Sequence, residues 1–354
     1  MDDSNCQWPT CKQNIFINYF TMEISSHIHD VLYFQSKKKE FKPQEFLNAI
    51  VNIIKTNCSG CEMIFTLFTT ALNSYKSGRC LKPFPPSFLQ NGVEDISNLR
   101  KLCETIPSLQ EFKNRPEIYS YEILELFYWL FIEKAFPLLE EVPFETIPLN
   151  SDISKGFRPD YVFKIHHCMK NDLSFKKRAG KKGIISAFHG SHVDNFFSIL
   201  KFGLQQHFST EKETIFGKGI YLSSELSISA HFSPYGQTWK KCSIGSSHSI
   251  IAICDIINDV DKVKCKDSKH KGRSINENST GEIPEKYFIV TDNEMVQLRY
   301  LMVYKKKKLG KSCFFSNIYW MSLVLYFLML LFIGSRGISW IKMISFIFGD
   351  FVTT

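Results

Sequence analysis

Several common signals are missing from this 354-residue sequence. Met1–Thr10 holds acids and a proline in place of an apolar stretch, which excludes a secretory leader there and points to a reducing compartment. The eleven cysteines are odd in number and scattered, so they do not outline a disulfide framework. Cys58-Ser-Gly-Cys61 has metal-ligand spacing, but no second such pair completes a tetrahedral set, and no metal is expected. The Gly-x-Gly-x-x-Gly fingerprint is absent, which excludes the nucleotide fold that serves hydride transfer. The net charge of +8 gathers in Lys37–Lys39, Lys262–Arg273 and Lys305–Lys308. No aromatic residues interleave with it, so nucleic acid is not expected as a partner.

What is present suffices for a sizeable core: 44% of residues are hydrophobic and 22% charged, a globular balance. The length suggests about two domains at roughly 100–200 residues each. From Pro43 to Leu139 the apolar period is helical. Phe46, Ile50, Ile53 and Ile54 form one stripe, and Ile64, Phe65, Phe68, Ala71 and Leu72 form another. Lys82-Pro83-Phe84-Pro85-Pro86 interrupts the pattern. Helices resume at 95–104, 108–113 and 119–136, and the aromatic run Phe127, Tyr128, Trp129 and Phe131 reads as core.

After a proline-bearing linker the pattern becomes strand-like. Asp160–Ile165 and Ile184–Phe188 read as strands, with the basic stretch Lys176–Lys182 as a hairpin tip between them. Ala187-Phe188-His189-Gly190-Ser191 and Phe216-Gly217-Lys218-Gly219-Ile220-Tyr221-Leu222 are both apolar runs that meet glycine. Between them, Asp194–Leu204 reads as a short helix stopped by Gly203. A helix follows at 225–232, capped by Ser223 or Ser224. Strands at Ser249–Ile257, Tyr287–Val290 and Val296–Tyr304 complete the folded part. The sum is an α+β core of two packed antiparallel sheets preceded by a small helical domain.

His-Gly-Ser followed by Gly-x-Gly-Ile-Tyr-Leu and a late Tyr-Phe-Ile-Val resembles the NAD-binding core of the diphtheria-toxin-like ADP-ribosyltransferases, the PARP family. The likeness is to its tail-anchored, mono-ADP-ribosylating branch and covers about Gly183 to Tyr304. The resemblance implies NAD+ as a consumed co-substrate and proteins as acceptors. It implies that His189 hydrogen-bonds the adenosine-side ribose and that Gly190 offers its backbone to the nicotinamide carboxamide. Ser191 completes the His-Gly-Ser element. Tyr221 stacks on the nicotinamide ring, Ser229 supplies a hydroxyl to the carboxamide, and Phe232 stands where a second stacking tyrosine is usual. Gln205–Ile215 becomes a mobile loop over the donor. Tyr287 occupies the place of the family's third catalytic residue, a glutamate. A tyrosine is neutral at pH 7 and cannot activate an acceptor ribose as a carboxylate does, so single ADP-ribose units are expected rather than chains.

Ser312–Ser335 carries no charge over 24 residues, which as a helix spans roughly 36 Å, enough for a bilayer core of about 30 Å. Lysines immediately before it place the preceding part in the cytosol. The expected organisation is an extension (1–43), a helical domain (44–140), a linker (141–157) and a catalytic domain (158–304). A basic juxtamembrane segment (305–311), a transmembrane tail anchor (312–335) and a lumenal tail (336–354) follow. By resemblance the membrane is that of the endoplasmic reticulum and nuclear envelope, the acceptors include its proteins, and the setting is stress signalling. The alternative is a catalytically silent, membrane-anchored adaptor that binds NAD or ADP-ribose, for which Phe232 and Tyr287 speak.

Overall fold

The computed structural model describes residues 43–133, 136–148, 158–206, 217–265, 285–306, 320–332 and 334. Outside the described residues lie the expected extension up to 42, linker residues 149–157 and loop residues 207–215. The same holds for 266–273 of the basic loop, for 307–319 and for the tail 336–354. The chain divides into two compact units, Met1–Lys306 and Lys307–Thr354.

In the first unit, α1 (Pro43–Thr56) and α2 (Cys58–Asn73) open the helical region. Asn57 caps α2 by accepting from the Gly60 N–H, which satisfies one of the amides that a helix start leaves over. Every residue of α2 from Gly60 to Leu72 is buried, as its nearly unbroken apolar sequence dictates. Around it stand α3 (Ile96–Thr105), α4 (Leu109–Asn114) and α5 (Tyr121–Tyr128), the last running into a π-turn at Trp129–Glu133. Asp95 and Ser108 cap α3 and α4 through Asn98 N–H and Glu111 N–H.

Besides a helical turn at Ser77–Cys80 and a short hairpin of Leu89–Gln90 with Val93–Glu94, the main-sheet region holds β1 (Leu138–Glu141), β2 (Tyr161–His166), α6 (Met169–Ala179), β3 (Ile184–Ser191), α7 (Phe196–Phe202) and β4 (Ile220–Ser223). After them come α8 (Leu226–His231), β5 (Gly236–Gln237), β6 (Ser247–Ile257), β7 (Val263–Lys264), β8 (Tyr287–Val290) and β9 (Val296–Lys305). In the main sheet every pair is antiparallel, in the order β1-β2-β9-β6-β3-β4-β8-β7, with β5 also on β6. The path joins into one sheet, yet β3 meets β4 through a single pair, Phe188 opposite Ser223. Two antiparallel sets therefore meet at a seam one residue pair long.

Both faces of the larger set are covered. Ile250, Ala252, Cys254 and Ile256 of β6 join the main core with the helical region, while Ile251 and Ile253 join a smaller cluster with Phe188, Leu226 and Met302. This is strand alternation with neither side in water. In β9 the inward parity changes along the strand: Val296 and Leu298 face the main core, then Leu301 and Val303 do. Arg299 is the extra residue, since Leu298 pairs with Cys254 and Tyr300 with Ile253. Such a bulge shifts every later side chain to the other face. The displaced Arg299 is held by Asp255 (2.6 Å) and Asp172 (2.8 Å) and lies over the Phe175 ring.

One expectation is corrected. Lys176–Lys182 is not a hairpin tip, because Lys176, Lys177 and Arg178 form the last turn of α6. Asp172 in the first turn and the three cations at the end complement the helix dipole. Phe175 and Ala179 give α6 a buried side, and Gly180 ends it at φ +48°. In the second unit, residues 320–332 are helical and exposed. No helix among the described residues is long and apolar enough to cross a membrane.

Aromatic rings tie the helical region to the sheet. Phe65 packs edge-on against Trp239 at 4.8 Å, and Phe68 contacts Trp129 and Phe197 at 6.1 and 5.4 Å. Buried Glu62 accepts from Ser243 N–H and Oγ at 2.8 and 2.5 Å, which balances its burial with two bonds. Phe68→Ala should therefore weaken both regions together. We expect one cooperative unfolding transition, lower by about 3–5 kcal/mol in guanidinium titration.

Candidate active site

β3 pairs with β6 over its whole length, from Ile184 opposite Ile257 to Ser191 opposite Ile250. On its other edge, pairing with β4 stops at Phe188. His189, Gly190 and Ser191 therefore run past the seam, held on one side only. In place of a continuing ladder, the His189 ring crosses the gap: Nδ1 lies 3.0 Å from the Tyr221 carbonyl oxygen. A carbonyl only accepts, so Nδ1 carries the proton and Nε2 keeps a lone pair. Burial lowers the His189 pKa below the usual histidine value, against the smaller raising effect of the Tyr221 bond. The ring is neutral at pH 7.

Strand alternation distributes the residues between the two faces. Phe188 faces the smaller cluster and Ala187 the main core, so Gly190 looks the first way and His189 and Ser191 the second. On Gly190's face sits α8. A Cβ at Gly190 would lie 1.8 Å from the Ser229 carbonyl oxygen and 3.3 Å from Phe232 Cβ, so only glycine lets the helix lie this close. Ser229 is buried, whereas Phe232, just past the helix end, is 58% exposed. Ser233 pins that end by donating to the Ile250 carbonyl at 2.6 Å.

Tyr221 and Tyr287 share Gly190's face. Ile220 and Leu222 of β4 join the main core with Val290, and Phe288 packs against it, which leaves Tyr221 and Tyr287 for the other side. Tyr221 stands opposite Ile289, and Tyr287 opposite Ser223. The Tyr221 hydroxyl donates to Gly217 O at 2.7 Å, fixing the ring. Gly219 is needed for close strand approach, since a Cβ there would meet Ile289 Cγ2 at 2.6 Å. Ser223 is the hub of the seam: it pairs with both Phe188 and Tyr287, its Oγ donates to Lys286 O at 2.8 Å, and it accepts from the Glu225 N–H at 3.0 Å. One buried hydroxyl thus sets the start of β8 and the approach to α8.

All seven residues expected at the site gather at this seam: His189, Gly190, Ser191, Tyr221, Ser229, Phe232 and Tyr287. Sequence reasoning treated Ser223 as a possible cap only, and missed Asn195, which donates to Ser191 Oγ at 2.8 Å. Neither has a spacing that marks it. Cys58 and Cys61 sit one turn apart on α2, both thiols pushed up chiefly by burial. No group of three or more potential ligands suited to a metal occurs among the described residues.

A split antiparallel sheet with a neutral histidine and a glycine cradle at its seam fits the class of NAD+-consuming ADP-ribosyltransferases. Residues 154–271 match the Poly(ADP-ribose) polymerase catalytic domain, and residues 52–131 match the ARTD15 N-terminal domain. The chain is 32% identical over 291 residues to the mouse protein mono-ADP-ribosyltransferase PARP16, covering 77% of this chain and 89% of that one. The human PARP16 is likewise 32% identical over 285 residues, 76% and 88% of the two chains. Mouse PARP8, also a protein mono-ADP-ribosyltransferase, is 23% identical over 215 residues, 54% of this chain and 24% of that one. The chain belongs to the PARP family and is an NAD+ ADP-ribosyltransferase.

Two outcomes test the site. Gly190→Ala should abolish NAD+ binding and lower stability by about 1–3 kcal/mol through overpacking, read by calorimetry and thermal unfolding. For His189, the folded-state pKa lies below the unfolded one, so between the two the unfolded chain binds more protons and stability rises with pH. NAD+ binding should hold on acidification to the ordinary histidine value and fall only below it. His189→Gln should remove that fall.

Proposed function

We propose that this chain transfers single ADP-ribose units from NAD+ to protein side chains, its own included, at the cytosolic face of a membrane. The carrying observation is Tyr287, a phenol in the register line of Ser223 and on the face of Tyr221. The nearby carboxylates are placed otherwise: Glu225 is ion-paired with Lys286, and Glu285 sits in the exposed turn before β8. No acid stands at the Tyr287 position to activate an acceptor ribose for chain growth.

The donor would pass through the seam. Gly190 and Ser229 would take the nicotinamide carboxamide, with the Tyr221 and Phe232 rings supplying apolar faces. On the other side of the sheet, His189 Nε2 would accept from an adenosine-side ribose hydroxyl, and Ser191 would hold the same half. In the reaction the C–N glycosidic bond breaks and nicotinamide leaves with the electron pair. The acceptor heteroatom forms the new bond to the anomeric carbon and gives up its proton. The protein's part is to hold the oxocarbenium-like transition state in place.

The uncharged stretch Ser312–Ser335 with its preceding lysines supports a tail anchor. By resemblance to the tail-anchored branch of the family, that membrane would be the endoplasmic reticulum and nuclear envelope, with membrane proteins there as acceptors and stress signalling as the setting.

Intact-mass analysis of the full chain incubated with NAD+ should show additions of one ADP-ribose mass at a time. His189→Ala and Tyr221→Ala should cut labelling by roughly 100-fold while the protein stays in the alkali-washed membrane pellet. A ladder of long chains overturns the single-unit reading, and NAD+ consumption without any protein labelling overturns proteins as acceptors. Release of the full chain by alkali would refute the anchor.

A further inference from the structure

Ser191 is reached from the helical region by a chain of three polar groups. The Asn195 carboxamide lies between Ser191 and Cys80: its Nδ2 donates to Ser191 Oγ at 2.8 Å, and its Oδ1 accepts from the Cys80 thiol at 3.2 Å. Beside it, Ser74 donates to Asp194 Oδ2 at 2.5 Å. The other oxygen of Asp194, Oδ1, is buried without a hydrogen-bond partner among the described residues, so Ser74 carries that contact. Two links thus join the end of α2 and the turn after it to the turn 193–195, across 115 and 120 residues of sequence.

The direction of these bonds matters more than their number. An amide has one accepting and one donating end, so whichever neighbour claims the oxygen decides what the nitrogen faces. Cys80 is buried, and its thiol pKa is pushed up to about 11, chiefly by that burial, so it remains a protonated donor at neutral pH. It therefore turns Oδ1 toward itself and Nδ2 toward Ser191. With one lone pair of Oγ engaged, the Ser191 proton is left to donate outward, on the face of the sheet that also bears His189.

We propose that Asn195 and Cys80 are positioning residues for the donor: together they polarise Ser191 so that its hydroxyl donates to an oxygen of the adenosine half of the dinucleotide. The inference rests on the donor site proposed above. It assigns the helical region a definite part in binding, through hydrogen-bond polarity at one serine. His189 and Ser191 then present opposite capacities to the same half of the ligand, one accepting through Nε2 and the other donating.

Asn195→Asp is the decisive variant. A carboxylate offers no donor, so Ser191 would turn its proton inward and face the ligand with a lone pair. In the full chain, with nicotinamide release as the assay, the KM for NAD+ should rise roughly tenfold, the effect of one hydrogen bond, with kcat changed less than about twofold. Cys80→Val should raise KM in the same way. Cys80→Ser should restore it, because a hydroxyl donates the same bond in nearly the same volume. Thermal unfolding of each variant separates this pattern from simple loss of fold. The proposal is overturned if Asn195→Asp leaves KM within about twofold of wild type. It is equally overturned if Cys80→Ser behaves like Cys80→Val, or if KM rises only in step with a falling melting temperature. His189→Ala serves as the control. If it destroys NAD+ binding while Asn195→Asp does nothing, this inference alone fails. If His189→Ala binds NAD+ as wild type does, the donor site itself is misplaced and the inference falls with it.

Discussion

The sheet is not hydrogen-bonded across its whole width, and the seam between β3 and β4 is the constraint on which the rest of the site depends. One pair, Phe188 opposite Ser223, joins the two strand sets. Backbone groups beyond it still require partners, since an unmet polar group costs about as much as a lost hydrogen bond. Side chains take over the task. His189 reaches the Tyr221 carbonyl, Ser223 reaches the Lys286 carbonyl, and Tyr221 reaches back to Gly217. Of these three, His189 is the one that bridges β3 and β4.

Holding a sheet together at one pair requires firm support elsewhere. β6 supplies it, lying between β3 and β9 with a nearly continuous apolar sequence buried on both faces. α2 lies in the main core with its rings against Phe197 and Trp239. The Arg299 bulge lets β9 present apolar side chains to that core at both of its ends despite the change in parity. The guanidinium moved out of line is matched by two carboxylates, so the irregularity leaves no unpaired charge. The helical region and the sheet behave as parts of one unit, because the apolar surface that either would expose alone is large.

Gly190 shows how closely packing and binding coincide. The family resemblance gives its backbone to the nicotinamide carboxamide. The structure adds a packing reason that holds without any ligand, namely the Ser229 carbonyl lying where a Cβ would stand. The misreading of Lys176–Lys182 has the opposite lesson. A cluster of cations looks like a solvated tip in sequence, but cations at the end of a helix are also what its dipole favours. Only the buried positions Phe175 and Ala179 distinguish the two.

The local motifs were decided by the sequence alone. His189-Gly190-Ser191 lies on one strand and Gly217–Leu222 on one strand and the bend before it, so their spacing could be read in one dimension, as could the helical stripes of α1 and α2. The tyrosine at 287 and the uncharged run at 312–335 are likewise written in the chain. Tertiary structure decided which faces these residues occupy and what meets them. The seam in the sheet depends on where pairing stops. The roles of Ser223, Asn195 and Cys80 depend on contacts between segments far apart in the chain. A hydrogen bond's direction is a property of two neighbours at once, and no single stretch of sequence contains both.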